Sequence, residues 1–398
     1  MVTGDASYIK KINRSLIIRK IIEEGMISRA DLSKAIDLTR ATISAQAGSL
    51  LEEGLIVEKQ LEHYAVGRKP IMLSINGEAG YALGIDLDYG QISFTLSNLL
   101  GHPISTKIIE INTTEYASIF CLLTNEIKSF ITSFSDSLYG IVGIVIGIHG
   151  LVTKDEVIQY VPSLQWRDIP LKKDLQKEID INIYLENNAN LCSFAERVYV
   201  HHETDNLLCA SLSSGIGLGM MMNSEFFRGH DGFAGEIGHM IVVPGGKPCK
   251  CGNLGCWEEY ASETSFFKQL SEERQIKNLS YDHIQRWIDE GDEIVLERIE
   301  EFIYYLSIGL NNMINLYNPD VLVLYSELLR MLPESVNKLK ENLTSSISHY
   351  RELSISSIGK KACAMGACAL AIKHFLDVPM LNLTYEEEMQ KLKVNILN

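Results

Sequence analysis

Apolar residues recur every three or four positions over residues 9–24, with Ile12, Leu16, Ile17 and Ile21 on one face, and that period predicts a helix. Ser28 opens a second helix. Asp31 follows three residues later in a capping-box-like pattern, and Leu32, Ala35 and Ile36 form the buried side. Thr39-Arg40-Ala41-Thr42 opens a third helix running to about residue 53, with Ile43, Ala47, Leu50 and Leu51 as its apolar stripe. Gly54 stops it, and residues 55–58 read as a strand. Two short helices joined by a tight turn and followed by a β-ribbon predict a winged helix-turn-helix over residues 1–76.

From residue 77 to 398 strand-like runs alternate with helices. Residues 81–87, 91–97 and 103–111 read as three successive strands, and 140–147 as a buried one. A short strand at 183–185 leads into Glu186-Asn187-Asn188-Ala189-Asn190 and a helix over 191–200. Residues 207–212 and 217–222 pair around a Gly-rich turn at 215–219. A long helix over 293–317, a strand at 321–324 and a closing helix over 364–375 follow. Strand clusters that alternate with helices twice predict an α/β body of two lobes with a cleft between.

Composition narrows this picture. The 398 residues are 46% hydrophobic, ample for real cores, yet the longest apolar runs, such as 140–148, are too short to span a bilayer. The first eleven residues are polar and mixed, without the apolar core of a secretory signal, so a cytoplasmic protein is expected. The net charge of -15 argues against nucleic acid at first sight. It is uneven, however. Residues 1–75 carry 11 Lys/Arg against 9 Asp/Glu, and the rest of the chain carries 25 against 42. A weakly basic head on an acidic body is compatible with DNA binding by the head alone.

The third helix has an outer face built from Ala41, Ala45 and Gly48, flanked by Thr42, Ser44 and Ser49. Small residues there let a helix lie deep in a major groove, where methyls meet thymine and hydroxyls meet phosphates or base edges. The DNA-contact candidates are Ser28, Arg29, Thr39, Arg40, Thr42 and Ser44. Arg68 and Lys69 join them from the wing turn Gly67-Arg68-Lys69-Pro70, which suits a narrow minor groove.

The densest chemistry lies between Gly235-Glu236-Ile237-Gly238-His239 and Cys249-Lys250-Cys251-Gly252-Asn253-Leu254-Gly255-Cys256-Trp257-Glu258. One His and three Cys inside 18 residues are a donor set that tetrahedral zinc takes, and four protein ligands make a closed, structural site. The other five Cys are scattered in apolar settings, which fits a reducing compartment rather than a disulfide framework.

These motifs resemble the ROK family (repressors, open reading frames and sugar kinases) over nearly the whole chain. The resemblance rests on Ser28-Arg29-Ala30-Asp31-Leu32 and Gly67–Pro70 in the head, on Gly84-Ile85-Asp86, on 186–190 and 215–219, and above all on the Gly-Glu-x-Gly-His and Cys-x-Cys-Gly-Asn-x-Gly-Cys-x-Glu signature. Trp166-Arg167-Asp168-Ile169, Gly255–Glu258 and His374-Phe375-Leu376-Asp377-Val378 are similar to the family's xylose-operon repressors. The resemblance implies an actin-like ATPase-type fold for the body, a homodimer or higher homo-oligomer and a sugar effector. It implies zinc on His239, Cys249, Cys251 and Cys256, and sugar contacts at Asn187, Asn188, Glu236, His239 and Glu258.

Three departures from the family's kinases bear on activity. Where those kinases carry Asp-x-Gly-Gly-Thr to hold ATP phosphates, this chain reads Asp86-Leu87-Asp88-Tyr89-Gly90. The catalytic Asp of Glu-Asn-Asp-Ala-Asn is Asn188, whose amide cannot take a proton from a sugar hydroxyl. The adenosine-side Gly-Gly is Tyr325-Ser326. The expectation is therefore a sugar-responsive transcriptional repressor with no kinase activity, released from a palindromic operator by a monosaccharide, with xylose favoured. Two alternatives stand beside it: a sugar kinase fused to a DNA-binding head, and a repressor sequestered by a transporter protein.

Overall fold

Ile17, Ile18 and Ile21 are fully buried along helix α1 (Ala6–Glu24) and supply its core face. Burial is confined to the later turns, so Ile12, expected on that face, stays 42% exposed. A short strand β1 (Ile27–Ser28) leads into α2 (Arg29–Ala35), where the Ser28 hydroxyl accepts from the Asp31 amide at 3.1 Å and donates to its carboxylate at 2.7 Å. Leu32 is buried, whereas Ala35, at the last position of this two-turn helix, is exposed. Helix α3 (Arg40–Glu52) is capped by Thr39, and Ile43, Ala47 and Leu50 bury its stripe as the period required. Strands β2 (Ile56–Gln60) and β3 (Ile71–Ile75) pair antiparallel, with β3 between β1 and β2. The computed structural model describes residues 6–60, 70–88 and 90–384, so the wing turn with Arg68 and Lys69 lies outside the described residues.

The chain divides into two units, Met1–His202 with Cys363–Asn398, and Glu203–Ala362. In the first, β4 (Tyr81–Asp88), β5 (Gln91–Asn98) and β6 (Pro103–Glu110) form an antiparallel meander. Helix α4 (Tyr116–Ser133) then carries the chain to β7 (Ile141–Ile148), parallel to β4. A small separate sheet follows, β8 (Leu151–Val152), β9 (Ile158–Val161) and β10 (Trp166–Ile169). The turn α5 (Leu171–Leu175) leads to β11 (Ile183–Asn187), parallel to β7, and to α6 (Asn188–Tyr199). The strand order is β11-β7-β4-β5-β6.

The second unit repeats that plan. Strands β12 (Leu207–Ser211), β13 (Gly217–Met222) and β14 (Glu225–Phe226) form its meander. Helices α7 (Glu258–Ala261), α8 (Glu263–Arg274), α9 (Tyr281–Asp289) and α10 (Glu293–Tyr317) lead to β15 (Val321–Tyr325), parallel to β12. After α11 (Glu327–Arg330) and α12 (Ser335–Asn342), β16 (Glu352–Ile355) adds parallel to β15. The order β16-β15-β12-β13-β14 is the first sheet's plan again, a parallel trio extended by an antiparallel pair. The expected architecture, a helical head followed by two mixed-sheet lobes, is the one observed.

Helix α13 (Ala362–Leu376) returns to the first unit and lies against β4 so closely that a Cβ on Gly84 would stand 2.2 Å from the Ala364 carbonyl oxygen. No side chain fits there without separating helix from sheet. Gly84→Val is expected to cost about 2–3 kcal/mol or more of folding stability. Urea unfolding of the two proteins measures it, and an unchanged midpoint would refute the close packing.

Candidate metal centre and polar sites

Trp257 is fully buried and positions everything around the Cys-rich loop. Its indole N–H donates to the Tyr305 carbonyl at 2.8 Å, and its ring lies on α10 where a Cβ at Gly309 would stand 2.0 Å from the indole. Tyr260, one helical turn on, accepts from the Lys247 amide at 2.6 Å and closes the loop from the other side. Within this frame the Cys249 amide donates to Asn253 at 2.9 Å and the Gly255 amide to Lys247 at 2.7 Å. These bonds fold 247–256 into a tight knuckle that brings three thiols towards His239.

The four donor atoms of His239, Cys249, Cys251 and Cys256 lie within 4.8 Å of one another. Nδ1 of His239 is 3.6 Å from the Cys249 sulfur, and the sulfurs of Cys251 and Cys256 are 3.6 Å apart. A tetrahedral zinc separates its sulfur and nitrogen donors by roughly 3.5–3.8 Å, given bonds of about 2.0–2.3 Å. The donor set and its spacing fit a small tetrahedral metal, two of the donor pairs standing already at that separation. Burial pushes the Cys249 thiol up, while the Asn253 amide draws the Cys251 thiol down. Cys251 thus offers the first thiolate, and an incoming metal has to displace the proton of Cys249.

Two carboxylates flank the cluster, as the spacing required. Glu258 heads α7, its Oε1 3.3 Å from His239 Nδ1 and 3.2 Å from the Cys249 sulfur. Its other oxygen occupies space left by Gly215, where a Cβ would stand 2.8 Å away. This close approach gives the Gly-rich turn a packing role independent of any phosphate. Glu236 is 4.0 Å from His239 Nε2, the ring nitrogen turned away from the thiols. Partial desolvation holds its carboxyl above the usual range, although half of the side chain remains accessible, and Glu258 adds to the shift while His239 opposes it. A metal on Nδ1 leaves Nε2 and Glu236 for a polar ligand.

The first unit carries a second polar set, at the carboxyl ends of its parallel strands. Asn187 caps α6, its side-chain oxygen accepting from Ala189 at 2.9 Å and Asn190 at 3.3 Å while its NH2 donates to the Gly150 carbonyl at 2.9 Å. One N–H is all that these bonds leave for a ligand. Asn188, the first residue of α6, is half-buried. Buried Glu186 accepts from the Asn187 backbone and from the Asn190 side chain, both at 2.9 Å.

Beside them stands His149, which sequence reasoning missed. Its Nε2 is 2.8 Å from Asp86 and its Nδ1 3.4 Å from Asp88. Burial alone would lower its pKa, but the charge and hydrogen bond of Asp86, with Asp88 behind, outweigh that and raise it. Asp86, His149 and Cys363 also lie within metal-ligating distance of one another, but both ring nitrogens of His149 already face carboxylates. The available signal was a lone His directly after the apolar strand 141–148, and only the parallel register of β4 and β7 reveals its partners.

The DNA-contact candidates divide by how far the fold commits them. Arg40 and Ser44 are exposed on the outer face of α3, and space around Gly48 is open. Thr39 and Thr42 share a 2.9 Å hydroxyl contact at its N-terminus. Ser28 is engaged as a helix cap, and Arg29 pairs with Glu58 at 2.7 Å. Among the described residues no helix is long and apolar enough to cross a membrane.

Comparison with known proteins agrees with this arrangement. The ROK family model matches residues 82–374. The xylose repressor of Bacillus subtilis (strain 168) is 35% identical over 383 residues, 95% of this chain and 99% of that protein. The DNA-binding transcriptional dual regulator NagC of Escherichia coli (strain K12) is 24% identical over 399 residues, 94% of this chain and 98% of its own. Among solved structures, a ROK family transcriptional regulator homologous to the E. coli MLC protein superposes with a TM-score of 0.81 at 25% identity, covering 93% of this chain and 97% of that one. A ROK family glucokinase from Streptomyces griseus, in complex with glucose and AMPPNP, shares the fold over 73% of this chain and 99% of its own, with a TM-score of 0.65 at 21% identity. With the family model matched over most of its length, the chain belongs to the ROK family.

Proposed function

We propose that this protein is a sugar-responsive transcriptional repressor of a carbohydrate-utilisation operon, acting in the cytoplasm as a homodimer or higher homo-oligomer. The observation that carries the reading is the head joined to the two-lobed body, a combination this chain shares over 95% of its length with a xylose repressor. We assign operator contact to the head of residues 1–76, through Arg40, Thr42 and Ser44 of α3 with Thr39, Ser28 and Arg29 beside them, and to Arg68 and Lys69 of the wing. A two-fold dimer calls for a palindromic site. The body, residues 77–398, takes the effector.

The proposed effector is a monosaccharide, with xylose favoured. Glu236, the free nitrogen of His239 and Glu258 supply carboxylate and imidazole partners for hydroxyls, and Asn187 and Asn188 are the amide candidates in the first unit. Zinc on His239, Cys249, Cys251 and Cys256 has a structural role. Four protein ligands leave no open position for an activated water.

The same geometry favours sensing over phosphoryl transfer. Asn188 offers an amide where a proton acceptor is needed. The carboxylates of Asp86 and Asp88 face the imidazole of His149, which occupies oxygens that a divalent metal–nucleotide complex would need. Ser326 is bound into the fold, its hydroxyl donating to buried Glu263 at 2.6 Å and capping α11.

Three outcomes are expected. Operator affinity, measured with a duplex enriched from random DNA, falls on adding xylose, and by linkage the duplex weakens xylose binding by the same factor; an operator affinity indifferent to every monosaccharide in a panel would end the effector reading. Elemental analysis finds about one zinc per chain, and Cys251→Ser removes most of it, whereas an unchanged metal content would exclude this site. Finally, the stability advantage of the wild type over His149→Gln changes with pH. The folded pKa of His149 lies above its unfolded value, so the advantage is full below about pH 6.5 and shrinks as pH rises through the folded pKa. Urea midpoints taken between pH 5.5 and 8.5 check this, and a gap that widens with pH would contradict the pairing.

A further inference from the structure

The head meets the first unit's lobe at the turn that ends α3. The Tyr139 hydroxyl donates to the Glu53 carbonyl at 2.7 Å, across 86 residues of sequence. Leu138 covers Gly54, whose φ of +68° makes the turn and whose absent Cβ would stand 2.5 Å from a Leu138 methyl. The same turn gathers the rest of the head. Both terminal nitrogens of Arg14 on α1 grip the Glu53 carboxylate, at 2.9 and 2.6 Å, and the Asn76 amide side chain donates to Gly54 at 2.9 Å. The further head–lobe ion pair, Lys11 with Asp377 at 2.8 Å, is 65% and 61% exposed and contributes little.

Behind Tyr139 stands Phe375, edge-on at 5.2 Å and 67°, in the last turn of α13. Helix α13 is the segment by which the chain re-enters the first unit from the second. A rod of 15 residues, about 22 Å long, thus runs from the exit of the second unit to the ring that holds α3. Tyr139 and Phe375 also line an open recess of about 440 Å³.

We propose that Tyr139 is a positioning residue. It sets the tilt of α3 on the lobe and transmits displacement of α13 to the DNA-reading face, with Phe375 as the pusher. This rests on the repressor reading above and names the route of its regulation. A pull at Glu53 acts on the C-terminal end of α3, while Arg40 and Ser44 sit in its first two turns, so tilting the helix moves them most.

The test uses the full chain, Tyr139→Phe and Leu138→Ala, a duplex enriched from random-sequence DNA by the wild type, and D-xylose. Tyr139→Phe removes one hydroxyl and keeps the ring. It is expected to keep the wild-type melting temperature and xylose affinity, and to cut the xylose-induced change in duplex affinity about fivefold or more, the worth of one hydrogen bond. Leu138→Ala is expected to reduce the same ratio. A wild-type response with an unchanged ratio in both variants overturns the proposal. If xylose leaves the wild type's grip on the duplex unaltered, the effector reading fails separately. The positioning role is then judged on duplex affinity alone: a Tyr139→Phe loss of about fivefold at unchanged melting temperature supports it, and equal affinity overturns it.

Discussion

The seat of Trp257 on Gly309 is the constraint on which the polar chemistry of the second unit depends. The indole is buried against α10 and fixed by a hydrogen bond to Tyr305. Its two sequence neighbours are thereby aimed without rotational choice, Cys256 at the thiol cluster and Glu258 at His239 and the Gly-rich turn. A metal bound at the cluster would add a second staple to a loop already held by packing. The carboxylates beside it would then meet a ligand pre-positioned, with little ordering left to be done on binding.

The two sheets share one plan, but their chemistry has diverged. In the first unit the carboxyl ends of β4 and β7 bring two aspartates onto one histidine, so both ring nitrogens and a carboxylate oxygen of each aspartate are engaged within the site. In the second, Glu236 is raised above its usual range and half exposed, and its imidazole partner turns its free nitrogen towards it. Polar groups already engaged with one another gain less from a ligand than groups held apart and accessible.

Much of this was legible in the residues. Helix periods placed the three helices of the head and the long α10 within a few residues, and the β-rich runs between turn residues placed the meander of β4 to β6. The Cys and His spacing marked the metal-ligating group, since four donors in one short loop need no tertiary information to meet. Ile12 and Ala35 were misplaced because burial depends on which turns of a helix a neighbour covers, and periodicity alone does not carry that. The small sheet β8–β10 and the short α12 went unread because such short segments carry little pattern, whereas α4 has Ile119, Leu123, Ile127 and Phe130 at helical spacing and was legible. His149 was invisible for a different reason. Its partners lie 61 and 63 residues away, and only the pairing of parallel strands joins them.

A sugar signal has to reach DNA by a mechanical route, and the covalent path limits the choices. The chain leaves the first unit after His202 and returns to it at Cys363. The outgoing link follows α6, whose cap and buried face are fixed by Asn187 and by the core. The returning link is α13, whose first turns are wedged against β4 at Gly84 and whose last turn ends on Tyr139. Where it touches Gly84 the helix cannot approach the sheet any further, so displacement has to run along its axis or pivot about that contact. Either motion is delivered at Phe375. The head receives it at the part-buried Tyr139–Glu53 hydrogen bond and the Gly54 turn, with the exposed Lys11–Asp377 pair beside them, and a push at the end of α3 becomes a change of helix angle.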